Sequence, residues 1–132
     1  MDFPVRPQDV VHAVLGPGPD GIGERLVRFF LGVANSPDGR SRIRGILGAI
    51  TTNDEAARMV QQFVERELMG RIVVGLDVDR PMLRASLAAS HMIGIAVLLL
   101  VLRLEPLVSA DTEELVAIVA PTLQRYLTDP DL

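Results

Sequence analysis

The sequence predicts an all-α protein, folded as a six-helix antiparallel bundle. Three observations predict it. Apolar residues recur at i, i+3, i+4 and i+7 rather than at alternate positions. The aliphatic stretches are longer than strands usually are, in a chain that is 48% apolar yet only 4% aromatic. Gly, Pro, Ser, Asn and Asp fall between those stretches where they start or stop helices. A chain of 132 residues suits one such domain with a core of its own.

Each element has its own justification. Residues 1–7 hold two prolines and no periodic pattern, and read as a tail or the remnant of a linker, so the helical domain is expected over 8–132. Val10, Val11, Val14 and Leu15 mark a short first helix, which "GPGPDG" stops. Gly16, Gly18 and Gly21 spell the G-x-G-x-x-G of dinucleotide sites, but a helix precedes them and Pro17 and Pro19 remove amide donors. A rigid connection is the better reading. The second helix, Gly21 to Asn35, puts Ile22, Leu26, Phe29, Phe30 and Val33 on one face, with Glu24 and Arg28 paired outside. Ser36 and Pro37 supply the cap and first position of a third helix carrying Ile43, Ile46, Leu47 and Ile50.

Asn53 caps a long fourth helix with Met59, Val60, Phe63, Val64, Leu68 and Ile72 inward and Glu67 paired with Arg71 outward, ending near Gly75. Asp79 before Pro81 opens the fifth helix, which is expected to stop before Pro106. Asp111 and Glu114 make a capping box for the last helix, which Pro121 interrupts and should bend.

Composition narrows the function. All thirteen basic residues are Arg and the net charge is −4, a poor balance for a nucleic-acid binder, whose affinity for phosphate rests on a cationic surface. Cysteine is absent, which removes disulfides, thiol catalysis and thiolate metal sites. His12 and His91 are the only histidines, and no nucleophile, base and orienting acid recur at usable spacing. "DVDR" at 77–80 is too short for a calcium loop. No catalytic residue, metal ligand or cofactor is expected, and the chain reads as a non-enzyme. "MDFPVRPQDV" lacks the apolar segment of a signal peptide, which points to the cytoplasm.

The apolar run from Met92 to Leu102 needs a cover. Arg84 and Arg103 bracket eighteen residues, about 27 Å of helix, slightly short of a hydrocarbon core. Ser86, Ser90 and His91 lie within that window, so a single membrane span is the weaker reading. Ser86, Ser90 and Gly94 form a row of small side chains along which another helix can approach. The last helix has a similar surplus in Leu115, Val116, Ile118, Val119, Leu123, Tyr126 and Leu127. Two consecutive helices with more apolar surface than one core requires are explained by a two-fold interface with a second copy.

Four phrases, "GPGPDGIGERLVRFFL", "DEAARMVQQFVERELMGRI", "DRPMLRASLAASHMIGIAVLLLVLRLEPL" and "DTEELVAIVAPTLQRYL", together resemble the C-terminal effector-binding and dimerisation domain of TetR-family transcriptional regulators of an actinobacterial type. The similarity covers about residues 6–129. It implies a domain that senses a small molecule and dimerises through its last two long helices, while an N-terminal three-helix unit reads DNA. This sequence departs from the pattern in lacking that reading unit, so direct DNA binding by this chain is not carried over.

The resemblance places an apolar effector pocket between the second, fourth and fifth helices. Phe29, Phe30, Met59, Phe63 and Met92 are the candidate lining, with ordinary core packing as the competing reading. His91 is a polar group to orient the ligand or to sit at the dimer seam, with a hydrogen-bonded structural histidine as the favoured alternative. The expected homodimer seam comprises Ser90, Gly94, Val97, Val101, Leu115, Val119, Leu123 and Tyr126. Arg66, between Glu65 and Glu67, reads as solvated. Arg40, Arg42 and Arg44 are the only basic cluster; the three do not share one helical face, which disfavours a phosphate-binding ridge, although Arg40 and Arg44 do. The resemblance implies that the corresponding helix faces the DNA-reading unit, with a solvated surface as the stronger reading of these arginines. The remaining alternatives are a helical homodimer without a ligand and, less favoured, a single-span membrane protein.

Overall fold

In a computed structural model of the chain, the structure describes residues 6–132, and all its regular elements are helical. The first five residues of the expected tail lie outside the described residues. Pro7 already belongs to a helix, where its missing N–H costs nothing at the first position. Helix α1 (Pro7–Leu15) leads through the glycine-proline loop to α2 (Ile22–Asn35) and α3 (Pro37–Thr52). Helix α4 runs Asp54–Gln62, a π-helical stretch Phe63–Met69, then Gly70–Val73, without leaving helical dihedrals. Helix α5 runs Pro81–Ala96 and continues as a π-helical stretch Val97–Val101. A one-turn α6 (Glu105–Val108) and the long α7 (Thr112–Thr128) complete seven helices among the described residues.

The capping expectations hold at two of three places. Ser36 Oγ accepts from the Gly39 amide at 3.1 Å, and Asn53 Oδ1 from the Ala56 amide at 3.1 Å. Asp111 does occupy the N-cap of α7, but its side chain accepts no amide hydrogen bond, so no capping box forms with Glu114. Glu113 and Glu114 instead complement the positive end of the helix dipole. Helix α5 stops short of Pro106: the Leu102 amide reaches back five residues to Val97, and Arg103 turns left-handed at φ 53°. Pro106 then sits in the first turn of α6, where proline is tolerated. That turn is the element added to the six expected.

Helix α2 is the centre, packed against α1, α3, α5 and, most extensively, α7. Because neighbours cover it from several sides, its fully buried residues are Ile22, Val27, Leu31 and Ala34, while Leu26, Phe29, Phe30 and Val33 are half-buried. The main core joins these to Val10 and Val14 of α1, Ile72 and Leu76, Ala88 and Met92 of α5, and Val116, Val119, Leu123 and Leu127 of α7. A smaller cluster of Ala34, Ile43, Ala96 and Leu100 holds α3 to α5, with Phe30 packed against both clusters. In α4 the expected stripe holds except at its start: Val60, Phe63, Val64 and Leu68 are half-buried and Ile72 is buried, while Met59 is 49% exposed. The buried residues of this helix are Ala56, Met69 and Ile72, Met69 ending the π-helical stretch with its i→i+5 bonding.

The α2–α7 crossing depends on Gly23. A Cβ built there would lie 2.5 Å from the Ala120 carbonyl oxygen and 2.6 Å from the Gln124 nitrogen. The N-cap of α2, Gly21, has no side chain to offer, and Gln124 of α7 replaces it: its Oε1 accepts from the Gly23 amide at 2.8 Å, and its Nε2 donates to the Pro19 carbonyl at 3.1 Å. Gly23→Ala is expected to lower unfolding free energy by about 1–3 kcal/mol, because the obstacle is backbone on a neighbouring helix. Gly32→Ala, with open space at its Cβ, is expected to be neutral or to gain up to about 1 kcal/mol from helix propensity. Urea denaturation of both variants checks the contrast.

Candidate functional site

The two proposed sites separate in the structure. Of the pocket residues, Phe29, Phe30 and Met92 pack in or against the main core, His91 and Phe63 are half-buried, and Met59 faces outward. The α-helical part of α4 that carries Met59 packs chiefly on α3 and the π-helical stretch. The His91 ring meets Tyr126 edge to face, with centroids 6.2 Å apart. Two surface depressions stand out, and neither includes any of the six residues. One, of about 510 Å³, lies between α2 and α7 over Val116, Ala117, Ala120 and Pro121, with Asp20, Glu24, Arg28 and Glu113 along it. The other, of about 330 Å³, is on α3.

The seam residues divide by face. Ser90, Gly94 and Val101 of α5 are exposed and Val97 half-buried. On α7, Leu123 is fully buried and Val119 nearly so within the main core, against which Leu115 and Tyr126 also pack. Leu123 and Val119 are thus packed within this chain's own core. The residue α7 turns outward is Ile118, 64% exposed, one position along the helix. On α5 the matching outward residues are Met82, Leu83 and Ile93. Their signal was in the sequence as surplus apolar residues, but with both flanks apolar, periodicity does not say which stripe faces in.

Arg84 carries weight that sequence reasoning missed. It is 1% exposed, three residues into α5, and each of its three guanidinium nitrogens donates a hydrogen bond. Nε donates to the Asp79 carbonyl at 2.7 Å, Nη2 to Asp79 Oδ1 at 2.7 Å, and Nη1 to the Tyr126 carbonyl at 3.1 Å. Tyr126 is in the last turn of α7, so a cation meets the negative end of that helix. The Asp79 carboxyl, hydrogen-bonded to Arg84, is held below its ordinary value of 3.8. A lone Arg inside an otherwise apolar helix was the available clue.

Two further arginines act structurally. Arg25 donates to the carbonyls of Val14 and Asp20, each at 2.8 Å, and of Gly18, so the glycine-proline loop turns its acceptors inward around a cation. A phosphate site needs donors there, and the arrangement is the reverse. Arg28 clasps both oxygens of Glu113, at 2.7 and 2.9 Å, and Glu24 Oε1 at 3.0 Å, tying α2 to α7 at the surface. That hydrogen bonding raises the Arg28 pKa and lowers that of Glu113. Among the described residues no group of three or more His, Asp or Glu is placed to hold a metal.

This helical order and core are shared with known proteins. Residues 20–127 match the family model described as tetracyclin repressor-like, C-terminal domain. The chain belongs to the TetR family. A solved TetR-family regulator from Streptomyces coelicolor A3 is 31% identical, with a TM-score of 0.63 over 93% of this chain and 81% of that one. No curated protein matches the chain significantly. The TetR match spans α2 to α7, including the α2–α7 crossing and the Arg84 contact between α5 and α7.

Because folding favours the ionised form of Asp79, its contribution is complete above pH 3.8 and is lost as pH falls through the lowered folded value. Asp79→Asn is expected to be less stable than the parent at about pH 7, with the difference vanishing in strong acid; urea midpoints across that range check it. Arg84→Met keeps much of the volume and strands the Tyr126 carbonyl, an expected loss of about 1–3 kcal/mol by the same measurement.

Proposed function

We propose that this chain is the effector-sensing and dimerising part of a cytoplasmic TetR-type regulator. It has no catalytic role, and it works with a DNA-reading unit that the described residues do not contain. The observation that carries the reading is the uncovered apolar band on α5 and α7, the last two long helices: Met82, Leu83, Ile93 and Val101 on one, Ile118 on the other. Ser90 and Gly94 lie exposed on α5 and let a partner helix approach closely. A second copy offering the same band buries both at once, as two-fold symmetry requires. The seam is accordingly Ser90, Gly94, Val97 and Val101 with Ile93 and Ile118, in place of the inward-facing Val119 and Leu123.

The effector in this reading is a small apolar molecule received between α2, α4 and α5, near Phe29, Phe30, Phe63, His91 and Met92. Entry requires α4 to move from its neighbours. Its π-helical stretch Phe63–Met69 has the weaker hydrogen-bond register and is where it gives. A ligand that favours the opened arrangement then shifts the angle between two copies, and with it the spacing of two DNA readers.

A second reading has one observation in its favour: Pro81–Val101 is a 21-residue helix apolar and long enough to cross a membrane, with only a third of its apolar window buried. The buried Arg84 and its contact with α7 favour the dimer. Quantitative recovery in buffer without detergent removes the membrane reading.

Ile93→Asp and Ile118→Asp are each expected to shift sedimentation from dimer toward monomer while helix content stays intact; a dimer unchanged in both overturns the seam. For sensing, an apolar ligand at a hundred times its dissociation constant adds about 2.7 kcal/mol to stability. Phe63→Ala is expected to abolish that shift, and a library giving no shift supports a helical dimer without a ligand.

A further inference from the structure

The first half of α3 bears a concavity of about 330 Å³ lined by Pro37, Arg40, Ser41 and Arg44. Arg40 and Arg44 are one helical turn apart and share this wall, while Arg42 between them points elsewhere and pairs with Asp38 at 3.3 Å. Among the described residues no carboxylate pairs with Arg40 or Arg44. Arg40 is half-buried and its Nε is turned to the Ala34 carbonyl at 3.4 Å, which holds the stem and leaves the terminal nitrogens. The backbone of this helix end does not offer the site: Pro37 has no N–H, and the Gly39 amide is taken by Ser36 Oγ.

The lining is therefore two guanidinium groups, one hydroxyl and one rigid ring, with no acid. Two guanidinium groups on one wall, Arg44 exposed and Arg40 half-buried, with no carboxylate paired with either among the described residues, make this hollow locally cationic on a chain whose net charge is −4, which favours an anion there. A carboxylate would neutralise one of them. A phosphomonoester dianion neutralises both, and its oxygens suit two guanidinium forks with Ser41 as a further donor. We propose that this hollow binds a phosphomonoester group, held by Arg40 and Arg44 and oriented by Ser41. The site is remote in composition from the apolar effector region and does not rest on that reading.

Phenyl phosphate at about pH 7.5 is the probe, titrated into the nitrogen-15-labelled full chain at constant ionic strength with amide shifts followed by NMR. Saturable shifts confined to the first half of α3 are expected, with benzoate and dimethyl phosphate at least tenfold weaker. Arg40→Gln with Arg44→Gln is expected to weaken binding at least tenfold. Arg58→Gln with Arg66→Gln removes the same charge away from the hollow, on α4, and is expected to leave binding within about twofold. Absence of saturable shifts, equal loss in both double variants, or shifts at these residues with duplex DNA but not with the monoester would each overturn the proposal.

Discussion

The arrangement of this domain depends on one close approach, that of α2 to α7 at Gly23. A helix with a glycine N-cap has no side chain to satisfy its first amides, and α2 is such a helix. Bringing α7 near enough for Gln124 to accept from the Gly23 amide requires that position 23 carry no Cβ. The same crossing sets which stripe of α7 turns inward, so Val116, Val119, Leu123 and Leu127 enter the core with Ile22, Val27 and Leu31. Everything α7 then presents outward follows from that choice. The Arg28 clasp on Glu113 closes the surface edge of the same contact.

Much of the fold was legible because its signals are local. Ser36 and Asn53 cap where their sequence context says they should, and the helix boundaries follow from proline and glycine placement to within a few residues. What was not legible depends on partners distant in sequence. Asp111 has the residue type and spacing for a capping box without forming it. The π-helical stretch in α4 has no signature in apolar periodicity, and Met69, which it buries, lay outside the expected stripe, while Met59 lies exposed before it. On α7, apolar residues on both flanks left the inner stripe undetermined, and Leu123, expected at a seam, is fully buried in this chain's own core.

Arg84 shows how an apolar helix can carry a charge without becoming unstable. Its guanidinium is sealed from solvent, yet each of its three nitrogens meets an oxygen, two on Asp79 and one at the closing turn of α7. A buried cation so placed ties the entry of α5 to the end of α7 and fixes the relative height of the two long helices. That geometry bears on function, because the uncovered apolar band is drawn from both of them, and its shape depends on their staying in step.

The paired π-helical stretches have an evolutionary reading. A wide turn accommodates one residue more than an α-helical turn in the same length of packed helix, so it lets a helix absorb an insertion while the flanking segments keep their contacts. Phe63–Met69 and Val97–Val101 are thus places where homologous chains can differ by a single amino acid within a continuous helix. A one-residue insertion, ordinarily tolerated in loops, can be accommodated inside these two rods.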